Sequence, residues 1–263
     1  KRTDLVGMIA SDMSNPYRSE QISALAKRLV SEGFRPMLFC IDDGMNEEQL
    51  LSILLNYQVS GVVITSDAPP VEICEECARM HAPLALVDRI DDLPFVDYIN
   101  GDDRKGGRLA AEALIAAGRR ELLAVRPEKT GYSGRARITA FIERAAEDGI
   151  STSILEVAAS EYDGGLEASG DIALRRDENL GVFCPSDTVA LGLLDALRNR
   201  HGVRVPEELS LIGYDDIPQA AWVFADLTTI KQSVNEFAKV TVEMLKARID
   251  TPDAAPKNQI IDV

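Results

Sequence analysis

The chain has little positive charge for its size. Its 263 residues include 28 Lys and Arg against 43 Asp and Glu, a formal net charge of −15. Such a chain repels the nucleic-acid backbone, so direct binding of DNA or RNA is not expected. The sequence lacks any apolar run near the roughly 20 residues that span a bilayer, and no basic-then-apolar leader opens it. We expect no membrane partner and a cytoplasmic location, although a mature periplasmic protein would also lack a leader.

Residues typical of catalysis are scarce. The only histidines, His81 and His201, do not follow predicted strands, where the catalytic base of an α/β enzyme is expected. The sequence has no GxSxG nucleophile elbow, no GxxxxGK phosphate loop and no GxGxxG after the first strand. Gly101, Gly106 and Gly107 do not have dinucleotide-site spacing and are interpreted as turn residues. The sequence therefore predicts no enzyme activity and no cofactor.

The four cysteines could be read in two ways. Cys74 and Cys77 form a CxxC pair with His81 four residues later, and thiolates at that spacing can share a zinc ion. However, a second ligand pair is lacking, and small residues three apart on a helix more often face the core. We therefore expect Cys40, Cys74, Cys77 and Cys184 to be reduced structural residues and the protein to hold no metal.

Short apolar runs alternate with helical apolar periodicity along the whole chain. Ile22, Leu25, Ala26 and Leu29, for example, follow the i, i+3, i+4, i+7 spacing of an amphipathic helix. The predicted strands are residues 5–9, 36–41, 61–65 and 84–87, then 96–99, 121–125, 154–157, 180–184, 209–213, 227–230 and 258–263. Two rounds of this alternation predict an α/β fold of two doubly wound parallel-sheet lobes that face a common cleft.

Polar and aromatic side chains collect near the predicted carboxyl ends of strands, where open α/β sheets bind ligands. Carboxylates and guanidinium groups match vicinal hydroxyls, and aromatic rings stack on the C–H face of a sugar. Each residue also has a simpler interpretation: an ion pair for Asp88–Arg89, a solvated position for Arg137, loop packing for Tyr162 and a helix cap for Asp215. The set that favours a polyol ligand is Asp88, Arg89, Arg137, Ser186, Asp215 and Gln232, with Tyr17 and Tyr162.

Several longer motifs run nearly from end to end of the chain. The most specific is GVRVPEELSLIGYDD at residues 202–216, followed by DLTTIKQ at residues 226–232. The others are KRTDLVGMIASD at residues 1–12, the turn SNPY at 14–17, GVVI at 61–64 and SDxxALG at 186–192. Together these motifs resemble the lac/gal repressor family of bacterial transcription regulators.

The resemblance implies a type I periplasmic-binding-protein-like fold, in which a three-crossover hinge joins the two lobes. The first lobe would be residues 1–101 plus 231–250, and the second residues 102–230 plus 251–263. A small-molecule effector, a sugar or sugar derivative, would bind in the cleft of a homodimer. Operator DNA would be bound only through a helix-turn-helix headpiece absent from this chain. The alternative is a periplasmic sugar-binding protein of a transporter.

The resemblance also implies individual roles in binding the effector. Asn15 and Tyr17 would lie in a turn that touches the ligand and stacks on it, and Asp88 and Arg89 would bind its hydroxyl groups. Arg137, the first residue of an Arg-x-x-Gly/Ala-Phe pattern, and Tyr162 would contribute a cation and an aromatic surface. Ser186 would supply a polar contact, Asp215 a carboxylate and Gln232 an amide group at the hinge.

Two positions depart from the family pattern. Arg18 stands where a second aromatic residue is common, and Ser186 is shorter than the usual asparagine. Because Arg18 can stack as a planar cation or meet an anion, a phosphorylated or acidic sugar is an alternative ligand. Asp216 is expected to cap the short helix that follows it.

Overall fold

The computed structural model describes residues 3–41, 50, 53–54, 56–65, 71–79, 82–88, 96–176 and 179–263. The chain divides into two compact units. Unit 1 comprises Lys1–Gly101 and Ser233–Asp262, and unit 2 comprises Asp102–Gln232 and Val263. Each unit contains one sheet, and every strand pairing in both sheets is parallel. The predicted α/β class with two parallel sheets is confirmed.

The described residues of unit 1 form a six-stranded sheet, in the order β11-β5-β4-β3-β1-β2. Its strands are β1 (Leu5–Ser11), β2 (Arg35–Ile41), β3 (Gly61–Thr65), β4 (Leu84–Val87), β5 (Val96–Gly101) and β11 (Asn258–Ile261). Its helices are α1 (Pro16–Ser31), α2 (Val71–Arg79) and α7 (Val234–Asp250), and Leu50, Ile53, Leu54 and Tyr57 are also helical. Neighbouring strand residues such as Met8 and Ile9 enter different apolar clusters. The sheet therefore has a core on each face.

Unit 2 has five strands, in the order β10-β9-β8-β6-β7. They are β6 (Glu121–Pro127), β7 (Ser151–Val157), β8 (Leu180–Phe183), β9 (Ser210–Asp215) and β10 (Thr228–Lys231). The helices are α3 (Asp103–Ala116), α4 (Tyr132–Glu147), α5 (Glu161–Leu174) and α6 (Asp187–Asn199), with a 3-10 turn at Pro218–Ala221. Leu122 and Leu123 on β6 again enter different clusters, so both faces of this sheet are covered.

The last strand belongs to unit 1, whereas the sequence placed residues 251–263 in the second lobe. Strand β11 pairs with β5, with Ile261 opposite Gly101. Buried Asp97 on β5 secures this arrangement, since it accepts hydrogen bonds from Arg248 Nη2 (2.6 Å), Arg248 Nε (3.1 Å) and the Lys257 amide (2.8 Å). The apolar pattern of one short strand does not specify its sheet, so the assignment by sequence was wrong.

The glycines interpreted as turn residues are in regular structure. Gly101 ends β5, and Gly106 and Gly107 are buried within α3. A Cβ atom on Gly107 would lie 2.1 Å from the carbonyl oxygen of Arg137, and one on Gly106 would lie 2.3 Å from Tyr214 Oη. These glycines therefore allow α3 to approach α4 and Tyr214 closely. Close approach of a backbone, like a tight turn, is a common reason for glycine at a position.

The cysteines support the core interpretation of the CxxC pair. Cys74 and Cys77 are buried in an apolar cluster, Cys184 is also buried, and none of the four cysteines forms a disulfide. His81 lies outside the described residues. Within the described ranges, no group of three His, Cys, Asp or Glu residues is placed to hold a metal ion. The same part of the chain has no helix long and apolar enough to cross a membrane.

The glycine contacts lead to a matched pair of stability predictions. We expect Gly107→Ala to destabilise the protein by about 1–3 kcal/mol, because its Cβ would overlap the α4 backbone. Gly170 lies in the interior of α5, where a Cβ would meet nothing within 4 Å. Gly170→Ala should therefore stabilise by about 0.5–1 kcal/mol. Urea denaturation of both variants checks this, and a Gly107→Ala protein as stable as wild type would contradict the close helix contact.

Candidate functional site

In unit 1 the predicted turn residues begin helix α1. Asn15 is the N-cap, and its side-chain oxygen accepts hydrogen bonds from the amides of Tyr17 (3.0 Å) and Arg18 (3.3 Å). Tyr17 is buried. The cap fixes the backbone from which Tyr17 and Arg18 project, immediately after the carboxyl end of β1. Ligand contacts of Asn15 and Tyr17 remain predictions.

Arg18 on α1 forms an ion pair with Asp88, which follows β4, beside the end of the neighbouring strand β3. Arg18 Nη1 donates to the carbonyl oxygen of Thr65 (2.8 Å) and lies 3.4 Å from Asp88 Oδ2. Gln21 Nε2 lies 3.5 Å from the same carboxylate oxygen. The sequence had coupled Asp88 with Arg89, which lies outside the described residues. Gln21 was not predicted, although its position three residues after Arg18 places both on one helix face.

In unit 2 the polar residues converge on buried Arg137. Its Nε donates to Asp103 Oδ1 (2.7 Å), and its Nη1 donates to the carbonyl oxygen of Pro185 (2.9 Å). Nη1 also lies 3.4 Å from Asp215 Oδ1, and the guanidinium carbon lies 3.7 Å from the centroid of the Tyr214 ring. These contacts rule out a solvated position for Arg137 and fix the plane of its guanidinium group.

Asp215 and Gln232 complete this cluster. Asp215 ends β9, and its Oδ1 accepts a hydrogen bond from Gln232 Nε2 (2.7 Å). Gln232 follows β10, the strand parallel to β9, which brings these sequence-distant residues together. Asp215 does not cap the following 3-10 turn. Asp216 had been expected to cap this turn, and that prediction is wrong. The N-cap residue is Ile217, and the Asp216 carboxylate is paired with Lys231 Nζ (2.6 Å).

Ser186 and Tyr162 make other contacts. Ser186 caps α6 as predicted, accepting from the Val189 amide (3.4 Å), and its Oγ lies 3.1 Å from Thr188 Oγ1. The Tyr162 hydroxyl donates to Asp195 on α6, and this bond raises the pKa of Tyr162. Because Tyr162 is 42% exposed, its ring is available for stacking although its hydroxyl is occupied. Ligand contacts of Ser186 and Tyr162 remain predictions.

Two buried carboxyl groups of the cluster were missed by sequence reasoning. Asp103 binds Arg137, and Asp187 accepts hydrogen bonds from Thr229 Oγ1 (2.6 Å) and the Ile217 amide (3.0 Å). Both open a helix that follows a strand, so their position at strand ends was an available signal. This signal was not used, because Gly101, Gly106 and Gly107 around Asp103 were interpreted as turn residues and Ser186, not Asp187, was taken as the polar contact.

Burial sets the protonation of this cluster. It raises the pKa of Asp215 to about 8, against the opposing effect of Arg137, and nearby Asp187 raises it further. Burial likewise raises the pKa of Asp187 to about 7, although the hydrogen bond from Thr229 opposes it. Burial lowers the pKa of Arg137, but Asp103, Tyr214 and Asp215 outweigh burial and leave it above its ordinary value. The cluster therefore combines a permanent cation with carboxyl groups that ionise with difficulty.

These shifts predict a pH-dependent stability. The pKa of Asp215 is higher in the folded than in the unfolded chain, so the folded protein holds more protons between about pH 4 and pH 8. The contribution of Asp215 to the stability of wild type is therefore lost as the pH rises through this window. We expect Asp215→Asn to gain roughly 1–3 kcal/mol relative to wild type between about pH 5 and pH 8.5.

The measurement is urea unfolding at several pH values. Exposed Asp253→Asn corrects for the loss of one negative charge. A difference between Asp215→Asn and wild type that stays constant with pH would contradict a raised pKa for Asp215.

Known proteins share this architecture. Residues 111–263 match the family described as a periplasmic binding protein-like domain. The HTH-type transcriptional repressor PurR of Pasteurella multocida is 29% identical over 255 residues, 94% of this chain and 75% of the repressor. The ribose operon repressor of Haemophilus influenzae is 26% identical over 265 residues, 100% of this chain and 79% of that protein.

A solved structure extends the similarity to three dimensions. The LacI family transcriptional regulator from Enterococcus faecium, with bound ribose, has a TM-score of 0.87 and 26% identity, covering 98% of this chain and 95% of the regulator. The family match spans more than half of the chain, and together with these regulators it confirms the resemblance carried by the sequence motifs. This chain belongs to the periplasmic binding protein-like domain family and, within it, to the LacI-type transcription regulators.

Proposed function

We propose that this chain is the effector-binding part of a transcriptional repressor and that its effector is an uncharged sugar. The Arg137–Asp215 pair carries the proposal. Arg137 Nη1 and Asp215 Oδ1 lie together, whereas Nη2 and Oδ2 make no hydrogen bond to any residue that the structure describes. The pair thus keeps one charged donor and one acceptor for a ligand. Sugar hydroxyls both donate and accept, so they suit such a pair.

The charges of each unit support an uncharged ligand. In unit 2, the carboxyl groups of Asp103 and Asp215 flank Arg137, and those of Asp187 and Glu161 act on Asp215. A phosphate or carboxylate brought to this cluster would have to compete with Asp103, whose carboxylate already lies 2.7 Å from Arg137 Nε. In unit 1, Arg18 is paired with Asp88. These contacts favour a neutral sugar over the phosphorylated or acidic sugar suggested by Arg18 alone.

The relatives favour regulation over transport or catalysis. Those described above are named as transcription regulators, and one solved relative contains ribose. The polar groups at the strand ends hydrogen-bond one another and secure helices, which suits binding more than turnover. We infer a cytoplasmic, non-enzymatic protein whose effector alters DNA binding through unequal affinity for two conformations.

A ligand panel tests the proposed function. We expect D-ribose, D-xylulose or cellobiose to raise the melting temperature, since a ligand at about 100 times its Kd adds roughly 2.7 kcal/mol, worth several degrees. Ribose 5-phosphate should bind more weakly than D-ribose. Arg137→Lys should weaken sugar binding at least about tenfold, because lysine lacks the planar fork. Exposed Arg135→Lys, on the same helix, is the matched control.

The panel also includes hypoxanthine. A shift with hypoxanthine and with none of the sugars would overturn the sugar assignment. Tighter binding of ribose 5-phosphate than of D-ribose would overturn the uncharged character of the ligand. Release of a product from a bound sugar would establish an enzyme instead.

We also infer a homodimer, with an apolar patch of unit 2 as its contact surface. The patch, Trp222-Val223-Phe224, has exposed fractions of 49%, 99% and 70%. The Trp222 and Phe224 ring centroids are 5.5 Å apart, and Arg198 Nη1 secures the segment by donating to the Phe224 carbonyl oxygen (2.7 Å). Three consecutive exposed apolar residues on a secured segment are typical of an interface rather than of free surface.

Sedimentation measurements test the patch. We expect wild type to sediment as a dimer and the double variant Trp222→Ser, Phe224→Ser as a folded monomer at micromolar concentration. Leu174→Ser, at an apolar residue of unit 2 that is 86% exposed, should remain a dimer. A monomeric wild-type protein, or a dimeric double variant, would contradict the inference.

A further inference from the structure

Asp187 is a fully buried carboxyl group that joins three elements of unit 2. It is the first residue of α6 and has 0% exposure. Oδ1 accepts a hydrogen bond from Thr229 Oγ1 on β10 (2.6 Å), and Oδ2 accepts one from the Ile217 amide after β9 (3.0 Å). One side chain therefore fixes the start of α6, the end of β9 and strand β10 together.

The network extends to the backbone beside Asp215. The Asp216 amide donates to Thr229 Oγ1 (3.3 Å), and Thr229 in turn donates to Asp187. The amides of both residues that follow Asp215 are thereby held. Asp215 has φ +121° and Asp216 has φ +58°, values that side-chain-bearing residues rarely adopt. Such a turn persists only where surrounding contacts impose it.

Gly213 provides the space for this carboxyl group. A Cβ at position 213 would lie 2.2 Å from Asp187 Oδ1, inside any tolerable contact distance. Gly213 also lies opposite Thr229 in the β9–β10 register. Gly213 therefore leaves room for the Asp187 carboxyl group, and Thr229 on the neighbouring strand donates a hydrogen bond to it.

We propose that Asp187 is a positioning residue for effector binding. Through Thr229 and the Ile217 amide, it holds Asp215 and the strand leading to Gln232 in the geometry that binds the sugar. Asp187 itself does not need to touch the ligand. This role rests on the proposed function of the Arg137–Asp215 cluster. Asp187 would change the affinity for the sugar only through the residues that it holds in place.

A matched set of threonine variants tests the role. Thr229→Val keeps the shape but removes the hydroxyl, Thr229→Ser keeps the hydroxyl, and Thr228→Val makes the same change at the exposed neighbour on β10. The Kd of D-ribose is measured by calorimetry at 25 °C, well below the melting temperature of each variant. If D-ribose does not bind wild type, the panel sugar with the largest thermal shift replaces it.

We expect Thr229→Val to raise the Kd roughly tenfold, the effect of leaving a buried acceptor without its donor, while Thr229→Ser and Thr228→Val stay within about twofold. A purely structural role would lower the melting temperature of Thr229→Val and leave its Kd unchanged, which would overturn the proposal. If Thr229→Val does not fold, Asp187→Asn replaces it, with the same expected loss of affinity and the same overturning result. If wild type binds no panel sugar, the proposed function fails, and this role fails with it.

Discussion

The buried guanidinium group of Arg137 is the constraint on which the arrangement of unit 2 depends. A charge removed from water is tolerated only when partners surround it, and Arg137 has Asp103, Asp215, a carbonyl oxygen and the face of Tyr214. These partners come from α3, the end of β8 and the end of β9. Gly107 lets the Arg137 backbone approach α3 closely enough for the Asp103 contact. The polar cluster therefore depends on the close packing of α3 against α4.

A cluster secured in this way is organised before any ligand arrives. Asp215 is held by Arg137, by Gln232 and, through its backbone, by the Asp187 network, so binding a sugar requires little further ordering of these side chains. Preorganisation also makes the cluster selective. A ligand that leaves a buried donor or acceptor unmatched loses the full cost of its desolvation. A regulator needs this discrimination, because its response follows from differences in affinity between conformations.

The sequence predicted the fully buried strands best, because each is a short apolar run, and 61–65 and 84–87 match the structure at both ends. It also predicted that Arg137, Asp215 and Gln232 share a function, through family motifs. It missed Asp103 and Asp187 because their position at the start of a helix, although visible in the sequence, does not show that their carboxyl groups are buried. Gly106 and Gly107 were misread for the same reason: a glycine required by a neighbouring helix has the same local signature as one required by a turn.

The acidic groups support the proposal of an uncharged ligand, even though Arg18 departs from the family pattern. Arg18 alone suggests an anion, yet a cation attracts an anion only when no nearby carboxylate already satisfies it. Asp88 accepts from Arg18 in unit 1, as Asp103 accepts from Arg137 in unit 2. Each arginine is thereby converted from a charge that attracts phosphate into an oriented donor beside an acceptor. An oriented donor beside an acceptor is the pattern that a hydroxyl group matches, and this favours an uncharged sugar in a protein with a net charge of −15.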